Sequence, residues 1–238
     1  MTVPIDQIVE IKTEAKNQRD RGLKGYPRAL AKLKSAIALA TEGLAQTTVP
    51  DLQRQYAKEL ADCHGMIGGV ERRWAHDGEG SDRESHLIAS CLAYDAGYSF
   101  EWNPQYDIRA SYNLVNRLTG RLMLRPELLV TNAEVDLGQG LTAINLPQAL
   151  AESVTKIVQF LAKRGSFWAE ADLSLLRVLL GSNDVKSAYA PFFALSPPDY
   201  AYASALDGLR SLAKLDIANA ASLIAALDIL EAHRSSGK

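Results

Sequence analysis

PDLQRQYAKELADCHGMIGGVERRW (50–74) decides the fold. Leu52, Tyr56, Leu60, Cys63, Ile67, Val70 and Trp74 recur at steps of four and three, so they share one side of a helix for about six turns. Gly65, Gly68 and Gly69 interrupt the same stretch. In a helix this well patterned, they point to close approach of a neighbouring helix where no side chain intervenes.

Upstream, the spacing predicts a first helix over 4–21, with Ile5, Ile8 and Val9 starting its apolar face, closed by GLKG (22–25). A second begins near Tyr26, with Pro27 in the first turn where a missing N–H does no harm. Leu30, Leu33, Ala36, Ile37 and Ala40 form its stripe, and ALAKLKSAIALA (29–40) is intrinsically strong helix-forming text. Downstream, HDGEGSD (76–82) reads as a polar loop, followed by helices over 83–100 and 107–124. WNPQ (102–105) separates these two, and Ile108, Tyr112, Val115, Leu118 and Leu122 are expected to face inward.

The segment 125–147 lacks helical periodicity and reads as an irregular connector with room for a short helix. Helices are expected again over 148–163, 167–180 and 185–194, then as a pair over 198–233, with Ser196 as a cap before Pro197 and Pro198. This organisation divides the chain into helix pairs over 1–124, the connector, and helix pairs over 148–238, continuous with the first part as one domain. The expected class is all-α.

Small–large–small triplets at helical spacing appear in the second helix of successive pairs: Ala29, Leu33 and Ala36 after Tyr26, then Ser90, Tyr94 and Gly97, and in part Ala188 and Phe192. Tetratricopeptide units use such spacing to let helices approach, but these copies do not keep the regular period of about 34 residues. The pattern therefore suggests an α-solenoid of degenerate helix-turn-helix pairs, with a plain helical bundle as the alternative.

ELADCHGMIGGVERRW (59–74), YDAGYSFEWN (94–103), SYNLVNRL (111–118), FWAEADLSLLRVLLG (167–181) and SPPDYAYASALDGL (196–209) resemble the tetratricopeptide-like TRAF-binding region. That region occurs in the apoptosis signal-regulating class of MAP kinase kinase kinases and in free-standing bacterial proteins. The resemblance covers about residues 20–215 and implies a helical regulatory scaffold that binds adaptor proteins. This chain departs from the kinases in carrying no Gly-rich loop with its lysine and no HRD or DFG run.

Composition bounds the function. Hydrophobic residues make up 47% and charged residues 23%, an ordinary globular balance. The net charge of −2 gives no overall footprint for duplex nucleic acid, although a local basic patch would not show in the total. No stretch approaches the roughly 20 apolar residues of a membrane span, the amino terminus has no secretory pattern, and two cysteines build no disulfide framework. A cytoplasmic location, no membrane partner and no cofactor are the expectations.

No hydrolase, zincin, P-loop or dinucleotide fingerprint is present, so no catalytic role is expected. Gly138 and Gly140 read as a turn rather than a phosphate cradle. Cys63, His64, His76, His86 and Cys91 match no common zinc spacing, and both cysteines read as small buried thiols. Glu84 with His86, and Glu231 with His233, read as solvated helix ends.

The candidate partner-binding residues are Arg72, Arg73, Asn113, Asn116 and Arg117. Asparagine is a poor helix-interior residue, so Asn113 and Asn116, placed opposite Tyr112, Val115 and Leu118, require a reason. They either bond the next helix or line a concave groove, where an amide can hold an extended peptide backbone. Tyr98, Trp102 and Tyr106 form a candidate aromatic surface. The leading expectation is a scaffold binding a protein or peptide, and the alternative is a sensor of a nucleotide second messenger. A last helix over 217–233, with Ile217, Leu223, Ile224, Leu227 and Leu230 on one face, either caps the domain or pairs with a second copy.

Overall fold

A computed structural model describes residues 3–78, 82–161 and 165–236. Among them are ten α-helices: α1 (Ile5–Arg19), α2 (Tyr26–Gln46), α3 (Pro50–Asp77), α4 (Asp82–Glu101), α5 (Tyr112–Leu124), α6 (Leu146–Phe160), α7 (Phe167–Leu179), α8 (Val185–Ala194), α9 (Asp199–Leu212) and α10 (Ala220–Ser236). The described residues contain no strand, only an isolated antiparallel bridge between Val135 and Ile144. None of these helices is long and apolar enough to cross a membrane. The chain forms two compact units, residues 1–120 with 139–141, and residues 121–138 with 142–238.

In the first unit each helix packs on the next, α1 on α2, α2 on α3 and α3 on α4. The core joins Ile8 and Ala15 of α1, Tyr26, Ala29, Leu33, Ala36 and Ala40 of α2, and Tyr56, Leu60, Cys63 and Val70 of α3. Leu52, Ile67 and Trp74 complete the expected α3 stripe as partly buried neighbours. Burying such side chains stabilises the fold by about 25 cal/mol for each Å² of apolar surface removed from water. Tyr56 anchors the amino terminus as well, its hydroxyl donating to the Val3 carbonyl at 2.5 Å.

A second face of α3 is buried beside the apolar stripe. Ala57, Ala61, Gly65 and Gly68 are all inside. A Cβ at Gly68 would lie 2.8 Å from the Tyr94 ring of α4, and one at Gly65 would lie 2.8 Å from Asn113 Oδ1 of α5. The glycines therefore make seats for particular side chains.

Two expectations for α5 need correction. The helix begins at Tyr112, not near residue 107, because Asp107 (φ 47°) and Arg109 (φ 55°) adopt the left-handed conformation, which a right-handed helix cannot include. Ile108 accordingly lies outside it. The helix is also rotated from the expected facing. Tyr112 is 46% exposed, whereas Asn113 is fully buried between Gly65 and Gly97.

Between α5 and α6, residues 126–129 form a 3-10 turn, and Gly138 and Gly140 turn the chain with positive φ, as the glycine pattern suggested. In the second unit, Asn145, Ser166 and Asp184 cap α6, α7 and α8 with side-chain oxygens. Each satisfies an N–H that the helix leaves open. Ser196 does not cap α9. Its φ is 47°, and Pro198 occupies the cap position without a side-chain bond. α10 starts at Ala220, with Leu223, Ala226 and Leu230 inward and Ile224 half-exposed, so Ile224 leaves the expected apolar face. Its outer side is tied down by Arg234 to Asp199 and by Glu231 to Arg210. The expected end of the sixth helix at Lys163 lies outside the described residues.

Candidate functional site

The site grows from one buried amide. Asn113 Nδ2 donates to the Ala61 carbonyl of α3 at 3.1 Å and to Glu101 Oε1 of α4 at 2.7 Å. Both neighbours are acceptors, so the NH₂ must face them. One asparagine thus ties three helices together, and burial repays the poor helix propensity that singled it out. Asn113 is interior and does not line a groove.

Asn116, one turn further on, reaches the surface. Its Oδ1 accepts from Arg72 Nη1 at 2.5 Å, and its Nδ2 donates back to the Tyr112 carbonyl. Arg117 turns the other way, donating from Nε to Asp95 Oδ1 at 2.9 Å while its guanidinium lies 4.2 Å from the Tyr98 ring centre. The half-exposed Tyr112, whose carbonyl accepts from Asn116, meets Tyr94 edge-on at 5.8 Å. Arg72, Tyr112, Asn116, Arg117 and Asp95 therefore form one strip across α3, α4 and α5.

Beneath the strip runs a row of rings. Tyr94, Tyr98 and Trp102 follow at steps of four, and each carries an arginine: Arg72 at 6.0 Å, Arg117 at 4.2 Å and Arg109 at 5.1 Å from the ring centres. A guanidinium over an aromatic face is held by the ring quadrupole, by about 0.5–1 kcal/mol at exposed sites and more when desolvated. Burial pushes the Tyr94 hydroxyl well above its ordinary value, with Arg72 opposing. Trp102 Nε1 also donates to the Ala110 carbonyl at 2.9 Å, fixing the loop before α5.

Two of the sequence candidates stand apart. Arg73 faces Asp20 of the α1–α2 turn at 3.8 Å, while Arg72 bonds Asn116. Tyr106 belongs to a different row, stacking on Phe100 at 6.3 Å, which in turn stacks on His64 at 6.1 Å. Tyr98 and Trp102 do stay together, at 6.5 Å. Asp95 and Arg109 were missed by sequence reasoning. Only packing brings Asp95 to Arg117 and Arg109 to Trp102.

No known family model, curated protein or solved structure matches the chain.

His86 and His233 have structural partners. His86 Nδ1 lies 2.6 Å from Glu71 Oε2, and its ring stacks on Trp74 at 4.3 Å. His233 stacks on Phe193 at 3.8 Å. Cys63 and Cys91 are both buried, and burial pushes the Cys63 thiol up to about 12. Among the described residues no three histidines, cysteines or carboxylates gather at metal-binding distance. A shallow depression of about 330 Å³ beside the start of α6 carries Glu134, Asn145, Gln148 and Glu152. Glu152 there accepts from Gln148 at 2.8 Å.

Proposed function

We propose that the chain is a non-catalytic interaction module that holds a partner protein or peptide on the α3–α5 strip. The observation that carries this reading is the strip itself: Arg72 bonded to Asn116, Arg117 bonded to Asp95, and the half-exposed Tyr112 one turn before Asn116 on α5. Arginine and tyrosine are the side chains that most often dominate binding at protein interfaces. Here they are preorganised by ion pairing and ring contacts, which lowers the entropy lost when a partner orders them.

The helix pairs are read as degenerate tetratricopeptide-like units. Ala29, Leu33 and Ala36 in α2, Ser90, Tyr94 and Gly97 in α4, and Ala188 with Phe192 in α8 are all buried, as that packing requires. The similarity to the TRAF-binding region makes a regulatory scaffold the natural role. The nucleotide-sensor alternative draws less support, because Arg117 and Arg109 lie over the Tyr98 and Trp102 faces on which a base would stack.

The test is co-purification with tagged wild type, Asn116→Ala and Arg117→Ala. A partner recovered by wild type should be depleted by both variants at unchanged thermal stability. Equal recovery by all three removes the strip from the function.

A further inference from the structure

A second surface lies where α1 turns into α2. Residues 16–28 carry five cations, Lys16, Arg19, Arg21, Lys24 and Arg28, against the single carboxylate of Asp20. The chain as a whole carries 26 cations against 28 carboxylates, so this corner is strongly basic on a slightly acidic protein. Asp20 is already engaged, accepting from Arg19 at 2.7 Å with Arg73 at 3.8 Å. Lys16, Arg21, Lys24 and Arg28 are exposed and have no ion-pair partner among the described residues.

Stability does not account for the arrangement. Lys16 and Arg19 in the last turn of α1 complement the helix dipole, but Arg28 sits in the first turn of α2, where a cation opposes it. Between them a 3-10 turn at Gly22–Lys24 exposes Leu23 by 48%. The turn is tightly built, since a Cβ at Gly25 would lie 1.8 Å from the Gln18 carbonyl oxygen. The cations are therefore held around a firm turn with an exposed apolar tip.

We propose that this corner docks on an anionic lipid surface. Phosphate and carboxylate headgroups would neutralise the four unpaired cations, and Leu23 would enter the interfacial layer. An exposed turn ringed by cations suits a broad anionic surface. The apolar tip favours lipid over a nucleic-acid backbone, against which Leu23 would gain nothing. The contact is peripheral, distinct from a membrane span, and departs from the expectation of no membrane partner. It does not rest on the α3–α5 reading.

Each cation near such a surface contributes about fivefold in affinity, and the effect fades beyond a Debye length of about 10 Å at 0.1 M salt. The experiment is co-sedimentation of the full chain with vesicles of phosphatidylcholine alone or with phosphatidylserine added. Binding is expected only with phosphatidylserine, weakening as salt rises. Arg21→Gln/Lys24→Gln/Arg28→Gln should lower it roughly a hundredfold, and Leu23→Ser should weaken it further. Lys34→Gln/Arg54→Gln/Lys186→Gln, an equal charge change at exposed sites elsewhere, should leave most of the binding intact. Thermal unfolding by circular dichroism checks that each variant folds. Absence of binding to phosphatidylserine vesicles, equal losses in the two triple variants, or tighter binding to duplex DNA or an acidic peptide would each overturn the proposal.

Discussion

Asn113→Ala probes the joint on which α3, α4 and α5 meet. The substitution removes a donor 2.7 Å from the buried Glu101 carboxylate and another 3.1 Å from the Ala61 carbonyl. A hydrogen bond to a charged group contributes about 1.5–3 kcal/mol, and leaving a buried carbonyl without its donor costs about 1–3 kcal/mol. The expected loss is roughly 3–5 kcal/mol, a large fraction of the about 5–15 kcal/mol that stabilises a domain. Gly97 supplies the sharper half of the test. A Cβ there would lie 2.5 Å from Asn113 Cγ, so Gly97→Ala alone should cost about 1–3 kcal/mol through overpacking. In the Asn113→Ala background the obstacle is gone, and the same change should be neutral or stabilising, since alanine is the better helix former by about 1 kcal/mol. Urea denaturation followed by circular dichroism on the four proteins of the cycle measures the coupling. Additivity within about 0.5 kcal/mol would refute the packing described for Asn113.

Three further outcomes follow from the same physics. Gly68→Ala should destabilise by about 1–3 kcal/mol because its Cβ meets the Tyr94 ring, while Gly208→Ala, with open space around it in α9, should stabilise by up to about 1 kcal/mol; melting curves that rank them the other way contradict the seat at Gly68. Burial holds His64 below its ordinary value, so the unfolded chain takes up the proton first as pH falls. Its stabilising contribution is complete above about pH 6.5 and is lost as pH drops toward the folded value. His64→Phe, which keeps a ring against Phe100, should flatten that part of the stability profile, and an unchanged slope would remove His64 as its source. The thiols of Cys63 and Cys91 should resist an aromatic disulfide reagent at pH 8 in the folded protein and react in urea; rapid labelling of the native chain would show that they are not enclosed.

Large apolar side chains made the first face of α3 legible, and Tyr26 with Pro27 placed the start of α2 correctly. The second face of α3 was harder to read because alanine and glycine contribute little hydrophobicity to a periodic pattern. Its glycines signalled close approach but not the rings and amide that fill the gap. α5 was misread for a related reason. Hydrophobic periodicity assigned Tyr112 to the core and Asn113 to the surface, but the buried Glu101 carboxylate rewards an amide inside and leaves Tyr112 half out. The start of α5 depended on left-handed turns at Asp107 and Arg109, which neither residue type announces. At the site, Arg72, Asn116 and Arg117 were recognised as polar residues with a purpose. Their partners Asp95 and Tyr98 come from a separate helix, a relation that only packing reveals.

Amide hydrogen exchange of the full chain, with and without the partner captured by co-purification, tests the functional reading most directly. New protection is expected in α3 around Arg72 and in α5 from Tyr112 to Arg117, lost when Arg117→Ala is mixed with the same partner. Protection confined to the second unit, or a footprint indifferent to Arg117, would contradict it.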